Sequence, residues 1–180
     1  MKNIVLGVTG SIAAYKSAEI ASLLTKAGIG VHVVMTAAAQ KFITPLTFQT
    51  LTKRKVYTDM FEEIFSEDVR HISLAKNADA VLVAPATANI IAKLVAGIAS
   101  DCLTTVALAA WQKPLLIAPA MNTAMWENPA TRDNIAKLRT RGAHIIDPVE
   151  AALACGDLGK GAMASPSVIA ACVADILRVR

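Results

Sequence analysis

Apolar residues run along the chain in two alternating rhythms. Short, almost unbroken runs, "NIVLGV" (3–8), "GVHVVMT" (30–36), "DAVLVAP" (79–85), "KPLLIAP" (113–119) and "AHIID" (143–147), read as strands, the longer ones buried on both faces. Between them apolar positions recur every three or four residues. "SIAAYKSAEIASLLTKAG" (11–28) predicts an amphipathic helix with Ser11 as its N-cap and Gly28 at its end. A helical stretch follows the second strand and is interrupted before Pro45. Residues 86–111 predict helix with a break near Gly97 to Asp101. In 128–142, Asn128 stands as N-cap, Pro129 as the first helical residue and Gly142 just past the end. Residues 166–179 predict a closing helix, whereas "EAALACGDLGKGAMAS" (150–165), with Gly156, Gly159 and Gly161, has no period and reads as a mobile loop.

Strands alternating with helices imply an α/β fold: a three-layer, doubly wound parallel sheet with right-handed crossovers, of the Rossmann or flavodoxin-like kind. No repeat, low-complexity linker or second domain interrupts residues 1–180, so a single domain is expected. In such sheets ligands lie beyond the carboxyl ends of the strands. Met121, Asn122, Met125 and Trp126 crowd into that position after Pro119, in a chain with few aromatics.

Composition narrows the picture. Hydrophobic residues make up 54% and aromatics only 4%, so the apolar content is mostly Ala, Val, Ile and Leu, which suits a buried sheet under Ala-rich helices. The excess of apolar residues points to surface buried between subunits. No apolar run has membrane-spanning length, and the chain enters its first strand pattern without a signal peptide. An odd count of three cysteines without paired spacing favours a reducing compartment, and with it a cytoplasmic protein. The net charge of +4 is spread over weak clusters, Lys53-Arg54-Lys55 and Arg178 with Arg180. No aromatics are interleaved with them, so a solvated surface is expected and no nucleic-acid partner.

Several motifs carry chemistry. "GVTGSIAAYK" (7–16) joins a strand to a helix through a glycine turn, a place where free N–H groups suit a phosphate. Gly7 and Gly10 do not complete a dinucleotide fingerprint, and Tyr15 stands where a P-loop needs glycine before Lys16-Ser17. A simple tight turn also explains this stretch. "APATANI" (84–90) repeats the arrangement, with Pro85 stopping the strand and Thr87 and Asn89 near a helix start. Thr36 ends a neighbouring strand and could add a hydroxyl. His32 and His144 read as structural, and a lone His71 is by itself an ordinary surface residue. Cys102 and Cys172 sit in apolar helical stretches, where cysteine behaves as a small hydrophobe. Cys155, near Asp157 and Lys160 in the glycine-rich stretch, is placed to meet a substrate. Cys and His spacing matches no zinc site, so no metal is expected.

"GVTGSIAAYK", "HISLAK", "APATANIIAKLVAGIASD", "APAMNTAMW" and "ACGDLGKGAM" occur together in the order seen in the flavin-containing cysteine decarboxylases, and the resemblance covers nearly the whole chain. It is strongest to the branch acting on 4'-phosphopantothenoylcysteine in coenzyme A biosynthesis. The resemblance implies FMN bound between subunits of a homotrimer, or a multiple of trimers, and a product 4'-phosphopantetheine. By position it implies catalytic roles for His71, Asn122 and Cys155. It assigns substrate contacts to Asn122, Met125 and Ala154, and FMN contacts to Gly10, Ser11, Ile12, Thr36, Thr87, Ala88, Asn89, Ile90 and Ala120. In many bacteria such a domain is fused to the cysteine ligase that makes its substrate. These 180 residues contain no ligase sequence, which leaves a stand-alone enzyme or one half of a bifunctional one.

The implied chemistry suits these residue types. Loss of CO2 from an N-acylated cysteine leaves a carbanion with no means of delocalisation, and the acylated nitrogen cannot form a Schiff base. Oxidation of the CH2–SH group to a thioaldehyde by a flavin places the carboxylate β to an electron-poor C=S, so that CO2 departs to give an enethiolate. A base near the thiol, a donor for the carboxylate and an acid on a closing loop are then needed, and Met121, Met125 and Trp126 would wall the carboxylate site, unless Met125 and Trp126 simply pack at a subunit interface. Three other functions share these residues: a decarboxylase of peptidyl cysteine, a Cys-His-Asn hydrolase and a non-catalytic regulatory subunit of the same fold.

Overall fold

The computed structural model describes residues 1–60, 70–152, 156 and 158–178. Six strands form a parallel sheet: β1 (Asn3–Val8), β2 (Gly30–Met35), β3 (Val56–Tyr57), β4 (Ala80–Ala86), β5 (Leu115–Pro119) and β6 (His144–Ile145). Their order is β3-β2-β1-β4-β5-β6, the Rossmann rather than the flavodoxin order. The helices described are α1 (Ala14–Lys26), α2 (Pro45–Thr52), α3 (Arg70–Asn77), α4 (Ala88–Ala96), α5 (Cys102–Ala109), α6 (Thr123–Glu127), α7 (Pro129–Thr140) and α8 (Pro166–Leu177).

Strand alternation sorts the core into two halves. Ile4, Leu6 and Val8 of β1 and Leu82 of β4 meet Ile20 and Leu24 of α1, Phe48 of α2 and Val173 of α8. Val5, Val81 and Val83 face the other way, toward Ile91 of α4, Leu103 of α5 and Ile135 of α7. This is the three-layer arrangement the sequence pattern predicts. Gly7 belongs to the second face, where a Cβ would run into the Leu103 side chain, so its absence lets α5 pack directly on the strand.

Local signals explain most boundaries. Asn128 Oδ1 accepts from the Ala130 N–H at 2.9 Å and Pro129 opens α7. Gly97 closes α4 at φ 70°, and Asp101 and Thr104 form a reciprocal capping box at the start of α5. Four expectations need correction. α1 begins at Ala14, with Ser11 in a tight turn before it, its Oγ accepting from the Ala13 N–H at 3.3 Å. Pro85 lies within β4, at a register shift between Val83 and Ala86 where no ladder donor is required. The sheet has a sixth strand where five are expected, because the edge strand β3, two residues long, is too short to show a period.

The fourth correction concerns 150–165. Its described residues are not a loop: β7 (Val149–Ala152) and β8 (Leu158–Ala162) pair as an antiparallel hairpin. Alanine and glycine fill so many of its positions that the alternation carries no hydrophobic contrast.

His32 of β2 gives the fold an acid sensitivity. Arg54 Nη1 lies 2.9 Å from His32 Nε2, so the ring must be neutral to accept. Burial, and then the Arg54 charge, hold its pKa below the ordinary 6.5. A depressed pKa means stability that is complete above about 6.5 and lost as pH falls through the folded value. His32→Gln, which can still accept from Arg54, is expected to lose less stability than the parent between about pH 7 and pH 5. Denaturant midpoints at the two pH values check this, and parallel losses would contradict it.

Candidate active site

The chain leaves β1 toward one face of the sheet and β4 toward the other. These neighbouring strands therefore bound the crevice where strand order reverses. Thr9, only 2% exposed, ties its two sides together. Its Oγ1 donates to the Pro85 carbonyl at 2.6 Å and accepts from the Thr87 N–H at 3.3 Å. Ser17 Oγ adds a second tie, donating to the Ala84 carbonyl at 2.7 Å. The turns after β1 and β2 also close on one another, because Gly10 packs against Ala38 with no room for a Cβ. Thr36 Oγ1 accepts from the Ala39 N–H at 3.2 Å in that second turn.

On the β4 side, Thr87 caps α4 by accepting from the Ile90 N–H at 3.3 Å. Ala88 follows it half-buried, and Asn89 is exposed to solvent. The Ile90 side chain points away from this edge into the core and is 1% exposed. The starts of α1 and α4 thus lie side by side across Thr9, as the two motifs predict.

The segment after β5 completes the edge. The Ala120 N–H donates to the Ala86 carbonyl at 3.0 Å, and the Met121 N–H donates to the Gly161 carbonyl of β8 at 3.0 Å. Asn122 caps the short α6, with Oδ1 accepting from the Ala124 N–H at 2.8 Å, which fixes the plane of its amide. Two glycines let the hairpin lie flat on this segment. A Cβ at Gly161 would strike the Met121 carbonyl, and one at Gly159 would strike the Thr123 hydroxyl.

A cavity of about 430 Å³ lies between the start of α1, the 120–122 segment and the hairpin. Ser11, Ile12, Ala120 and Asn122 line it together, with Met121 and Lys16 beside them. Gly10, Thr36, Thr87, Ala88 and Asn89 lie at strand ends along the same edge but outside the cavity. His71 is half-buried in the first turn of α3. That helix runs back to the start of β4, so its first turn lies toward the same carboxyl edge, although His71 does not line the cavity. Ala154 and Cys155 lie outside the described residues.

The crowding after Pro119 has two causes. Asn122 and Met121 face the cavity, but Trp126 is 4% exposed and belongs to the core, anchoring α6. Met125 is 49% exposed and does not line the cavity. Of the three expected wall residues, Met121 alone serves in the described structure. Sequence reasoning missed Thr9, whose signal is a hydroxyl between buried Val8 and Gly10 at a strand's carboxyl end. It also missed the hairpin wall at Ala152 and Met163.

A second cavity, of about 210 Å³, lies at the opposite end of the sheet, where Val81 and Leu115 begin their strands. Among the described residues no cluster of His, Cys, Asp and Glu could hold a metal ion, and no helix is long and apolar enough to cross a membrane.

The Flavoprotein family model matches residues 1–178. A probable phosphopantothenoylcysteine decarboxylase of Streptococcus mutans is 50% identical over 169 residues, covering 93% of this chain and 94% of that protein. The coenzyme A biosynthesis bifunctional protein CoaBC of Bacillus subtilis is 48% identical over 168 residues, covering 93% of this chain but only 41% of its own length. Among solved structures, a cysteine-to-serine mutant of PPC decarboxylase complexed with pantothenoylaminoethenethiol is similar at a TM-score of 0.89 and 34% identity, over 98% of both chains. The FMN binding protein AtHal3 is similar at 0.87 and 34% identity, over 99% of this chain and 98% of that one.

Proposed function

The chain belongs to the Flavoprotein family, and we propose that it is the enzyme that decarboxylates 4'-phosphopantothenoyl-L-cysteine to 4'-phosphopantetheine in coenzyme A biosynthesis, using FMN. One observation carries the reading. The cavity at the carboxyl edge brings Asn122 together with Ser11, Ile12 and Ala120. Its relatives add support: the Streptococcus mutans protein is matched over nearly its whole length.

The residues at this edge fit FMN. Two helix starts meet across Thr9, and such termini suit a phosphate. Ser11, Thr36 and Thr87 would offer hydroxyls, with Gly10 and Asn89 beside them. Ile12, Ala88 and Ala120 would give apolar contact, and the Ile90 backbone would contribute next to Thr87. Bound FMN would supply reversible two-electron chemistry, oxidising the cysteine CH2–SH group and returning the electrons after CO2 has left.

The chain's own residues do the rest. With Oδ1 accepting from Ala124, the Asn122 amide is held in one orientation, and its N–H2 edge would donate to the substrate carboxylate. Met125 and Ala154 would contact the substrate alongside it. His71 would take the thiol proton at the start of the reaction. Cys155 would return a proton to the product carbon at the end. Apolar lining by Ile12, Ala120 and Met163 would exclude water and strengthen each polar contact.

The same reading includes a homo-oligomer, a trimer or a multiple of trimers, with FMN between subunits. Ile12 and Tyr15 support it, apolar side chains at the cavity that are 57% and 59% exposed in the single chain. A phosphopantothenate-cysteine ligase, fused or separate, would supply the substrate, and the protein would work in the cytoplasm.

The expected result is a yellow purified protein that releases FMN on denaturation and turns over phosphopantothenoylcysteine far faster than a peptide ending in cysteine. Release of FAD or NAD, or preference for the peptide, would contradict the reading. A colourless protein inactivated by thiol alkylation would point to the Cys-His-Asn hydrolase instead.

A further inference from the structure

The substrate proposed above carries an anion at each end, and Asn122 accounts only for the carboxylate. The cavity wall formed by α1 presents Lys16, the single charged residue among the described residues that line the cavity. Its side chain is half-buried, and among the described residues it makes no hydrogen bond or ion pair. A partly desolvated ammonium with no counter-ion among the described residues gains from an incoming anion, because a charge-assisted hydrogen bond replaces solvation already lost. Lysine is a compact charge on a flexible stem, suited to a terminal phosphate on a flexible chain.

The neighbouring polar groups are otherwise engaged. Ser17, which makes Lys16-Ser17 look like part of a P-loop, is fully buried with its hydroxyl on the Ala84 carbonyl. Glu19, one turn further along α1, is exposed and forms no ion pair with Lys16 among the described residues. Lys160 sits between Gly159 and Gly161, which face the 121–123 segment, so strand alternation turns Lys160 to solvent.

We propose that Lys16 recognises the substrate phosphate, so that the substrate spans the cavity from Asn122 at its carboxylate to Lys16 at its phosphate. This assignment rests on the function proposed above, and the test separates the two. FMN-loaded parent, Lys16→Gln and Lys16→Arg are assayed with phosphopantothenoylcysteine and with its dephosphorylated form, with Lys26→Gln, at the far end of α1, as a charge control. Binding of 4'-phosphopantetheine and of pantetheine is measured by calorimetry.

In Lys16→Gln, KM for the phosphorylated substrate is expected to rise about tenfold to a hundredfold, the range of a lost charged hydrogen bond, with kcat little changed. The dephosphorylated substrate is expected to be unaffected, and Lys16→Arg to keep most of the preference. Calorimetry should show the same selective loss for the phosphorylated product. Equal loss on both substrates, or weaker FMN retention, would assign Lys16 to the cofactor and overturn the proposal. A phosphate preference that survives Lys16→Gln would overturn it while leaving the function intact. A parent enzyme that decarboxylates neither substrate would remove the function, and this assignment with it.

Discussion

Asn122→Asp is expected to yield a folded, FMN-loaded protein with turnover reduced at least about a hundredfold. The fold should survive because the N-cap that the side chain supplies is kept. Its Oδ1 accepts from the Ala124 N–H at 2.8 Å, and aspartate caps as well as asparagine. The stability change should therefore stay within about 0.5 kcal/mol. Function should not survive, because the substitution replaces an N–H2 donor by a second carboxylate facing the substrate's own. Like charges in a water-poor cavity repel strongly, and the lost charged hydrogen bond alone is about 1.5–3 kcal/mol. Denaturant melts, FMN content and CO2 release measured on one preparation check the three parts. Turnover near that of the parent would remove Asn122 from the site.

The second large effect is expected at Gly161, a cavity-lining residue with no side chain to take part in the chemistry. Gly161 sits on β8 where a Cβ would strike the Met121 carbonyl, and its own carbonyl accepts from the Met121 N–H at 3.0 Å. Gly161→Ala must push the hairpin off the segment that carries Asn122. A displacement of about 1 Å at a reacting group can cost on the order of a hundredfold in rate, and a loss of that size is expected in kcat/KM. FMN retention should fall less than kcat/KM because, of the proposed FMN contacts, Ala120 alone adjoins the displaced Met121. Gly156 is the contrast. A Cβ there meets open space, and its positive φ of 90° makes alanine a cost in backbone strain alone. Gly161→Ala with normal kcat/KM would show that the hairpin does not position Asn122.

Legibility along the chain follows physical contrast. Long buried strands and amphipathic helices differ sharply in apolar spacing, so β1, β2, β4, β5 and α1 can be read from sequence. Their order then places the ligand edge. Caps at Asn128, Gly97 and Gly142 are equally legible, since each residue type answers a specific backbone need. The hairpin is not, because Val149–Ala152 and Leu158–Ala162 are built largely of alanine and glycine, with no polar-apolar alternation. The role of those glycines depends on Met121 and Thr123, which no local window contains. Trp126 misleads for a related reason. It directly follows two exposed residues, Ala124 and Met125, yet turns into the core under α6. The resemblance points to Asn122, Ser11, Ile12 and Ala120, the chemistry adds its weight at Asn122, and all four line one cavity. Lys16 is visible as a P-loop fragment, but its place on the cavity wall is a tertiary fact.

The reaction expected at this edge of the sheet is a decarboxylation with no net redox change. Its most direct test uses phosphopantothenoylcysteine labelled with 13C in the carboxyl group, incubated anaerobically with the purified yellow protein and no added reductant. The predicted result is labelled CO2 and 4'-phosphopantetheine in equal amounts, over many turnovers. No labelled CO2, or a requirement for added reductant in proportion to product, would contradict it.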